Sequence, residues 1–315
     1  MHVSWLPRFV FRMGVMTESE TTGEARAAEL LGLMQLEAIE QNLFLGRNDT
    51  LGRQAIFGGQ VLAQALRSAC ATVDAEPLRK PHSLHGYFIR RGDLSRPVLF
   101  EVERIRDGRS FATRRVVAIQ NGEAILNLDV SLQIDETGLE HSDPIPNVPR
   151  PRDLEPDLAL VERYLEAGHD DGKLTRMAGR PRPFELRSVF PVGSAEWQAQ
   201  RYWNPVWMKF LAPVDASDQM LARSLLAYAS DMGLIGTSVL PHQEQANVRD
   251  LQMVSLDHAL WIHRDVDVGD WLLYHRSTTW AGAARAVVHG AFFNRRGDLV
   301  ASVSQEGLLR QPPSA

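Results

Sequence analysis

The chain has 315 residues, of which 44% are hydrophobic, and a formal net charge of −5. This length suits two domains of roughly 100–200 residues each, or one duplicated unit with a large core. The mild acidity argues against a nucleic-acid-binding protein, although a few arginines suffice to bind a smaller polyanion. Cys70 is the single cysteine, which excludes an intrachain disulfide and a four-thiolate zinc site, and fits a cytoplasmic protein.

The N-terminal residues 1–28 are predicted to be a flexible lead-in, and Met16 is the expected functional start. Pro7 and two arginines interrupt the apolar region that a signal peptide needs. No apolar run approaches the roughly 20 residues of a membrane helix, so we expect no membrane insertion. The C-terminal letters QPPSA contain no peroxisomal targeting tripeptide, which favours the cytoplasm.

Residues 29–134 predict a first structural unit. A short helix running into a strand comes first, and then Gly58 and Gly59 open the helical pattern VLAQALRSACATV. Four segments rich in β-branched and aromatic residues follow and predict strands. The prolines of residues 135–156 exclude regular helix or central strand there and mark a linker, whose predicted bounds are 135–180.

Residues 181–311 predict a second unit of the same design. Ser230 and Asp231 are predicted to open a helix over MGLIGTSVL, and four strand patterns follow it. One constant shift superposes the landmarks of the two units, which indicates internal duplication. The sequence therefore predicts an α+β fold of two tandem repeats, each with an antiparallel sheet wrapped around a long helix. The superposed pairs are Gly59 with Asp231, Ser83 with Ser255, Gln133 with Gln305 and, after a single deletion, Arg114 with Arg285.

Three polar residues of the second unit are candidates for chemistry. Asp231 lies in an almost wholly apolar stretch, where an unpaired carboxylate is costly to bury, although an aspartate there also suits a helix N-cap. Ser255 begins a strand pattern, where a serine is usually a solvated hydroxyl. Gln305 shares an otherwise apolar strand face, so its amide needs a partner, which a purely structural role would also supply.

Other patterns carry less information. The histidines have no spacing that suits a metal, and no phosphate-binding loop or nucleophile-elbow motif occurs, so neither metal nor cofactor is expected. Cys70 lies on an apolar helix face and is expected to be a core residue. Four arginines are candidates for binding a phosphate, namely Arg90, Arg91, Arg114 and Arg285.

Seven co-linear segments resemble the acyl-CoA thioesterase II (TesB-like) family and together cover roughly residues 30–310. They are IFGGQVLAQAL (56–66), HSLHGYFIRRGD (82–93), RDGRSFATRRVVAIQNG (106–122), LAYASDMGL (226–234), SLDHALWIHR (255–264), DWLLYHRST (270–278) and LVASVSQEG (299–307). The resemblance implies a double hotdog fold. It also implies a catalytic trio at Asp231, Ser255 and Gln305, with Ser255 where the bacterial pattern has threonine.

The function that this resemblance implies is hydrolysis of medium- to long-chain fatty acyl-CoA. Asp231 would act as general base on a water that Ser255 and Gln305 orient. Backbone amides at the helix start after Asp231, or at Gly58 and Gly59, would bind the oxyanion. We expect a homodimer or homotetramer. Together with Gly58, Gly59 and the arginines, His258 is a candidate substrate-binding residue. Two alternatives stay open: a hotdog enoyl-CoA hydratase, with His242 or His258 as the possible histidine partner, and a non-catalytic acyl-CoA-binding regulator.

Overall fold

The computed structural model describes residues 22–49, 55–168, 181–191, 194–245 and 251–311. The predicted start at Met16 lies outside these residues. Within them, no helix is both long enough and apolar enough to cross a membrane. The α-helices are α1 (Gly23–Leu33), α2 (Gly58–Cys70), α3 (Asp157–Glu166), α4 (Ala195–Ala199) and α5 (Gln219–Ser230), with 3₁₀ helices at Pro151–Asp153 and Ile235–His242.

The strands of the described ranges form one antiparallel sheet. Its order is β1-β2-β4-β5-β6-β3-β10-β13-β12-β11-β8-β7, and β9 pairs with β13 beside this path. The strands are β1 (Glu37–Glu40), β2 (Leu43–Gly46), β3 (Lys80–Phe88), β4 (Val98–Asp107), β5 (Phe111–Gln120), β6 (Glu123–Gln133), β7 (Phe184–Ser188), β8 (Trp203–Phe210), β9 (Gln252–Ser255), β10 (Asp257–Ile262), β11 (Leu272–Gly282), β12 (Arg285–Asn294) and β13 (Leu299–Arg310).

The strand order shows two copies of one pattern. The first half runs β2-β4-β5-β6-β3, and the second half repeats it in reverse as β10-β13-β12-β11-β8. The halves join between β3 and β10, where Leu84 lies opposite Leu260. Each half wraps its sheet around one central helix, α2 or α5. This arrangement confirms the predicted double hotdog.

The central helices form the core because their sequences are apolar on most sides. Leu62 and Leu66 of α2 and Leu225 and Leu226 of α5 are fully buried and belong to a single hydrophobic cluster. A helix that is apolar all round must be enclosed. Each helix therefore packs on the other as well as on the sheet, whose strands alternate buried and exposed residues, as β5 does.

The two central helices run antiparallel. The start of α2 is next to the end of α5, since a Cβ on Gly59 would lie 2.5 Å from the carbonyl oxygen of Tyr228. The other two ends also meet, because Cys70 lies within electrostatic range of Asp218 and Arg223. A functional group at the end of one helix therefore faces the start of the other.

The predicted helix start at Asp231 is wrong. Asp231 is the C-cap of α5, and the helix begins at Gln219 with Asp218 as its N-cap, whose carboxylate accepts a hydrogen bond from the Leu221 amide at 3.0 Å. The letters MGLIGTSVL fall mainly on the 3₁₀ helix Ile235–His242. Two smaller differences are that α1 begins inside the predicted flexible lead-in and that α3 lies inside the predicted linker.

The constant shift between the repeats is also wrong in detail. It places α2 on residues 230–242, whereas the equivalent helix is Gln219–Ser230. Gln133 ends β6 opposite Phe111 and is half-buried, but Gln305 lies opposite Val288 and is 1% exposed. The repeats are real, and their helices and strands are displaced by different amounts because the connections between them differ in length.

Candidate active site

Asp231 lies at the junction of the two repeats. It follows the last residue of α5 and is 7% exposed. Its Oδ2 would lie 2.8 Å from a Cβ on Gly58, the first residue of α2. The first amides of a helix have no acceptors within the helix and carry the positive end of its dipole. The carboxylate of the second repeat therefore stands at the positive end of the first repeat's helix.

Gln305 binds this carboxylate directly. Its Nε2 donates a hydrogen bond to Asp231 Oδ1 at 3.0 Å. Its Oε1 is buried and has no hydrogen-bond partner among the described residues. A buried acceptor without a partner is costly, so this oxygen is a place where a water or a substrate group is stabilised.

Ser255 is close to this pair along the sheet. It is the last residue of β9 and lies opposite Gly307 of β13, two residues after Gln305. Directly opposite residues share a face, and so do residues two apart on one strand. Ser255 and Gln305 are thus diagonal neighbours, whose Cα atoms are typically about 7–8 Å apart. The structure brings all three predicted trio residues to one region.

The turn that carries Asp231 is held on both sides. The preceding residue, Ser230, accepts a hydrogen bond from the Tyr274 hydroxyl at its carbonyl oxygen (2.5 Å). Its own hydroxyl lies 2.8 Å from His258 Nε2. The following residue, Met232, accepts a hydrogen bond from Arg276 Nη1 at 3.2 Å. The backbone position of Asp231 is therefore fixed by side chains of two different strands.

Burial shifts the pKa of the three side chains that hold the turn at Asp231. It lowers the pKa of His258 to about 3, so the imidazole is neutral at physiological pH. It raises the pKa of Tyr274, which stays a hydroxyl and a donor. Burial lowers the pKa of Arg276 to about 10, so its guanidinium is still a cation at neutral pH and lies beside the turn that carries Asp231.

The candidate oxyanion site is the start of α2. The alternative start, after Asp231, does not exist, because a helix ends at that residue. Gly59 permits a close approach, since any side chain there would collide with the carbonyl oxygen of Tyr228. A helix start of bare backbone beside the carboxylate is suited to bind a developing negative charge.

The prediction that Arg114 binds substrate is wrong. Its side chain is fully buried at the opposite end of α2. Its Nε donates to Thr72 Oγ1 at 2.8 Å, and its Nη2 donates to Asp107 Oδ1 at 2.6 Å and to the Thr72 carbonyl oxygen at 3.2 Å. The residue is a structural connection between β4, β5 and the end of α2.

The other candidate arginines are exposed. Arg90 follows β3, where its Nη1 donates to the Ala124 carbonyl oxygen at 2.9 Å and its Nη2 lies 3.3 Å from Glu123. Arg285 pairs with Glu306 at 2.9 Å on the outer face of the sheet. Gln305 reaches Asp231 from the inner face, so the structure does not bring Arg285 together with the trio. A phosphate-binding role for Arg90 stays a prediction.

A metal centre and a cysteine nucleophile find no support in the geometry. Across the described ranges, no three His, Cys, Asp or Glu side chains are grouped to hold a metal ion. Cys70 is buried at the end of α2, and burial raises the pKa of its thiol to about 12. The thiol is therefore protonated at neutral pH and inert as a nucleophile.

Sequence reasoning missed Ser230, Tyr274 and Arg276 as parts of the site. A serine and an arginine among apolar residues need partners when buried, which is the signal that marks them. Their partners depend on the packing of α5 against β10 and β11, and no local pattern encodes that packing.

Comparison with known proteins identifies the family. A family model described as "Acyl-CoA thioesterase" matches residues 193–308, and one described as "Acyl-CoA thioesterase N-terminal domain" matches residues 46–133. Mouse acyl-coenzyme A thioesterase 8 is 35% identical to this chain over 95% of the chain and 94% of its own length.

Solved structures agree with this result. The acyl-CoA thioesterase II TesB2 from Mycobacterium marinum superposes with a TM-score of 0.73 at 35% identity, over 91% of this chain and 99% of its own. A protein of unknown function with a hot dog fold from Alicyclobacillus acidocaldarius supports the fold alone, with a TM-score of 0.70 at 18% identity over 90% of this chain and 98% of its own. The chain therefore belongs to the acyl-CoA thioesterase II family and is a thioesterase with a double hotdog fold.

Proposed function

We propose that this enzyme hydrolyses medium- to long-chain fatty acyl-CoA to a free fatty acid and coenzyme A, with Asp231 as general base. The observation that carries the proposal is the buried carboxylate, bonded to Gln305 and placed at the start of α2. The Asp231 carboxylate can accept a proton, and the start of α2 beside it can bind a developing negative charge.

The residues suggest how water attacks. Gln305 Nε2 donates a hydrogen bond to Asp231 Oδ1, and the carboxylate takes a proton from the water during the attack. The second hydrogen of the water binds Gln305 Oε1, the buried acceptor that otherwise lacks a partner. The Ser255 hydroxyl donates to the water oxygen and fixes the direction of its remaining lone pair.

The reaction then proceeds without a covalent enzyme intermediate. The water oxygen bonds to the thioester carbon while its proton moves to Asp231, and the carbonyl oxygen becomes an oxyanion beside the amides of Gly58 and Gly59. Collapse of this species breaks the carbon–sulfur bond and releases the thiolate of coenzyme A. The proton on Asp231 passes to the thiolate, which restores the carboxylate.

We also propose that the chain works as a homodimer or homotetramer in the cytoplasm. Large apolar side chains on the strands are exposed, among them Tyr87, Trp203 and Trp280. Aromatic side chains are enriched where protein surfaces meet. Light scattering of the purified chain tests this part.

The test is release of free thiol from acyl-CoAs of increasing chain length. We compare the native enzyme with Asp231→Asn and with Asp74→Asn, which alters an exposed carboxylate beyond the far end of α2. Loss of a general base should lower kcat by about two orders of magnitude or more, whereas the control should keep its activity.

The same assay separates the rival functions. Acyl-CoA that binds without thiol release, at every chain length, would favour a regulator. Hydration of an enoyl-CoA without thiol release would favour the hydratase.

A further inference from the structure

His258 contacts the active-site turn without being part of the trio. It lies on β10 and is 1% exposed, with its side chain on the inner face of the sheet. Its Nε2 is 2.8 Å from the hydroxyl of Ser230, the residue that precedes the proposed base. Its position on a central strand makes it a rigid support for the end of α5.

The hydrogen bonds around Ser230 define the state of the imidazole. The Ser230 hydroxyl donates its one hydrogen to the carbonyl oxygen of Ala227 at 2.8 Å. It can therefore only accept from His258, so Nε2 must carry the hydrogen. Burial lowers the pKa of His258 to about 3, and Nδ1 has no partner among the described residues. The ring is therefore neutral, donates a hydrogen bond to Ser230, and does not supply protons to the reaction.

The strand register places His258 beside the second support of the base. Ala259 lies opposite Ser304 on β13, so the next residues, His258 and Gln305, are neighbours on the two strands. Both are buried on the inner face. One imidazole therefore contacts the backbone turn of Asp231 through Ser230 and adjoins the amide that binds its carboxylate.

We propose that His258 is a positioning residue, which holds the Asp231 carboxylate in register with Gln305 by anchoring Ser230. The proposal rests on the function proposed above. Without the Nε2 hydrogen bond, Ser230 keeps its bonds to Ala227 and Tyr274 but loses its connection to β10. A displacement of the base by a fraction of an ångström is then expected to slow the chemical step and to leave substrate binding nearly unchanged.

The kinetic experiment compares His258→Leu with His258→Gln, whose side-chain amide can still donate to Ser230. We expect kcat to fall about 10- to 100-fold in the leucine variant, with KM within about threefold, and most of kcat to return in the glutamine variant. If the leucine variant does not fold, His258→Asn replaces it, because its shorter side chain cannot reach Ser230. His263→Gln is the matched control, since its Nε2 also binds a serine, Ser302, at 2.9 Å but on the outer face.

A double-mutant cycle tests the route through Ser230. Ser230→Ala should reproduce the loss seen in His258→Leu, and combining the two should cost no more than about a further twofold. Losses that multiply would overturn the proposal. So would a glutamine variant that is as slow as the leucine variant and whose pH–rate profile has lost one limb, because that result would make His258 an acid–base catalyst.

A second readout does not depend on turnover. Amide hydrogen exchange at residues 229–233 should be faster in His258→Leu than in the native chain, and unchanged exchange would refute positioning. Failure of the proposed function is visible separately, because then neither the native enzyme nor His263→Gln releases thiol from any acyl-CoA.

Discussion

Gly58→Ala should separate activity from stability. A Cβ at this position would lie 2.8 Å from Asp231 Oδ2 and 3.0 Å from the ring of Phe88. Ordinary contacts of a Cβ begin at 3.4 Å, so the carboxylate or the helix start must move by about 0.6 Å. A misplacement of about 1 Å can cost roughly 100-fold in rate. We therefore expect kcat to fall about 10-fold, which corresponds to about 1.4 kcal/mol in the barrier.

The same substitution has two opposing effects on folding. Alanine in a helix is favoured over glycine by roughly 0.5–1 kcal/mol, and the close contact costs about 1–3 kcal/mol. We therefore expect the free energy of unfolding to fall by no more than about 2.5 kcal/mol.

The assay is thiol release by the variant, paired with thermal unfolding followed by circular dichroism. Gly32→Ala is the matched control, because Gly32 is also helical and a Cβ there meets nothing within 4 Å. The control should raise stability and leave kcat unchanged. If Gly58→Ala keeps full kcat, the carboxylate does not need the bare start of α2, and the proposed oxyanion site is wrong.

Three further substitutions test the supports of the fold and the site. Arg114→Met should lower the free energy of unfolding by about 1–3 kcal/mol through unpaired buried groups, with KM for acyl-CoA unchanged in steady-state kinetics. Gly290→Ala places a Cβ against the ring of Tyr274, which supports the turn that carries Asp231, so both Tm and kcat should fall. Burial favours the neutral form of Asp265, but hydrogen bonds from Lys80 and Arg223 outweigh it and lower the pKa of this carboxyl. Its stabilisation is present above the unfolded pKa of about 3.9 and lost as pH falls through the folded value, so Asp265→Asn should destabilise at pH 7 and much less at pH 3 in urea titrations.

The parts of the fold with clear periodicity could be predicted from the sequence. The main strands show it, because buried and exposed residues alternate along the sheet. Helix α2 was recognised from the apolar run that follows Gly58 and Gly59, although eleven of its residues are buried. Helix α5 was missed because Ser230 and Asp231 have the residue types of a helix N-cap, whereas Asp231 is the C-cap in the fold. The wrong shift between the repeats followed from that choice.

The candidate site was predictable in its residue types and not in its geometry. Asp231 and Gln305 stood out as polar groups in apolar surroundings, and family resemblance supplied Ser255. Their convergence depends on helix α5 ending at the start of α2, which is a tertiary contact between repeats. The arginines gave no comparable signal, because Arg114 and Arg285 look alike in sequence, yet Arg114 is buried on the inner face of the sheet and Arg285 is exposed on the outer face.

The symmetry of the fold explains why, among the described residues, the first repeat has no counterpart of Asp231 and Gln305. Helix α5 ends at Asp231, and the equivalent helix α2 ends at Ala71, which offers no carboxylate. Gln305 lies opposite Val288, while in the first repeat Val130 lies opposite Arg114. That arginine fills the region with hydrogen bonds to the turn after Ala71. The equivalent end therefore holds the proposed catalytic acid in the second repeat and a structural arginine in the first, because a buried carboxylate and a buried arginine cannot occupy the same place.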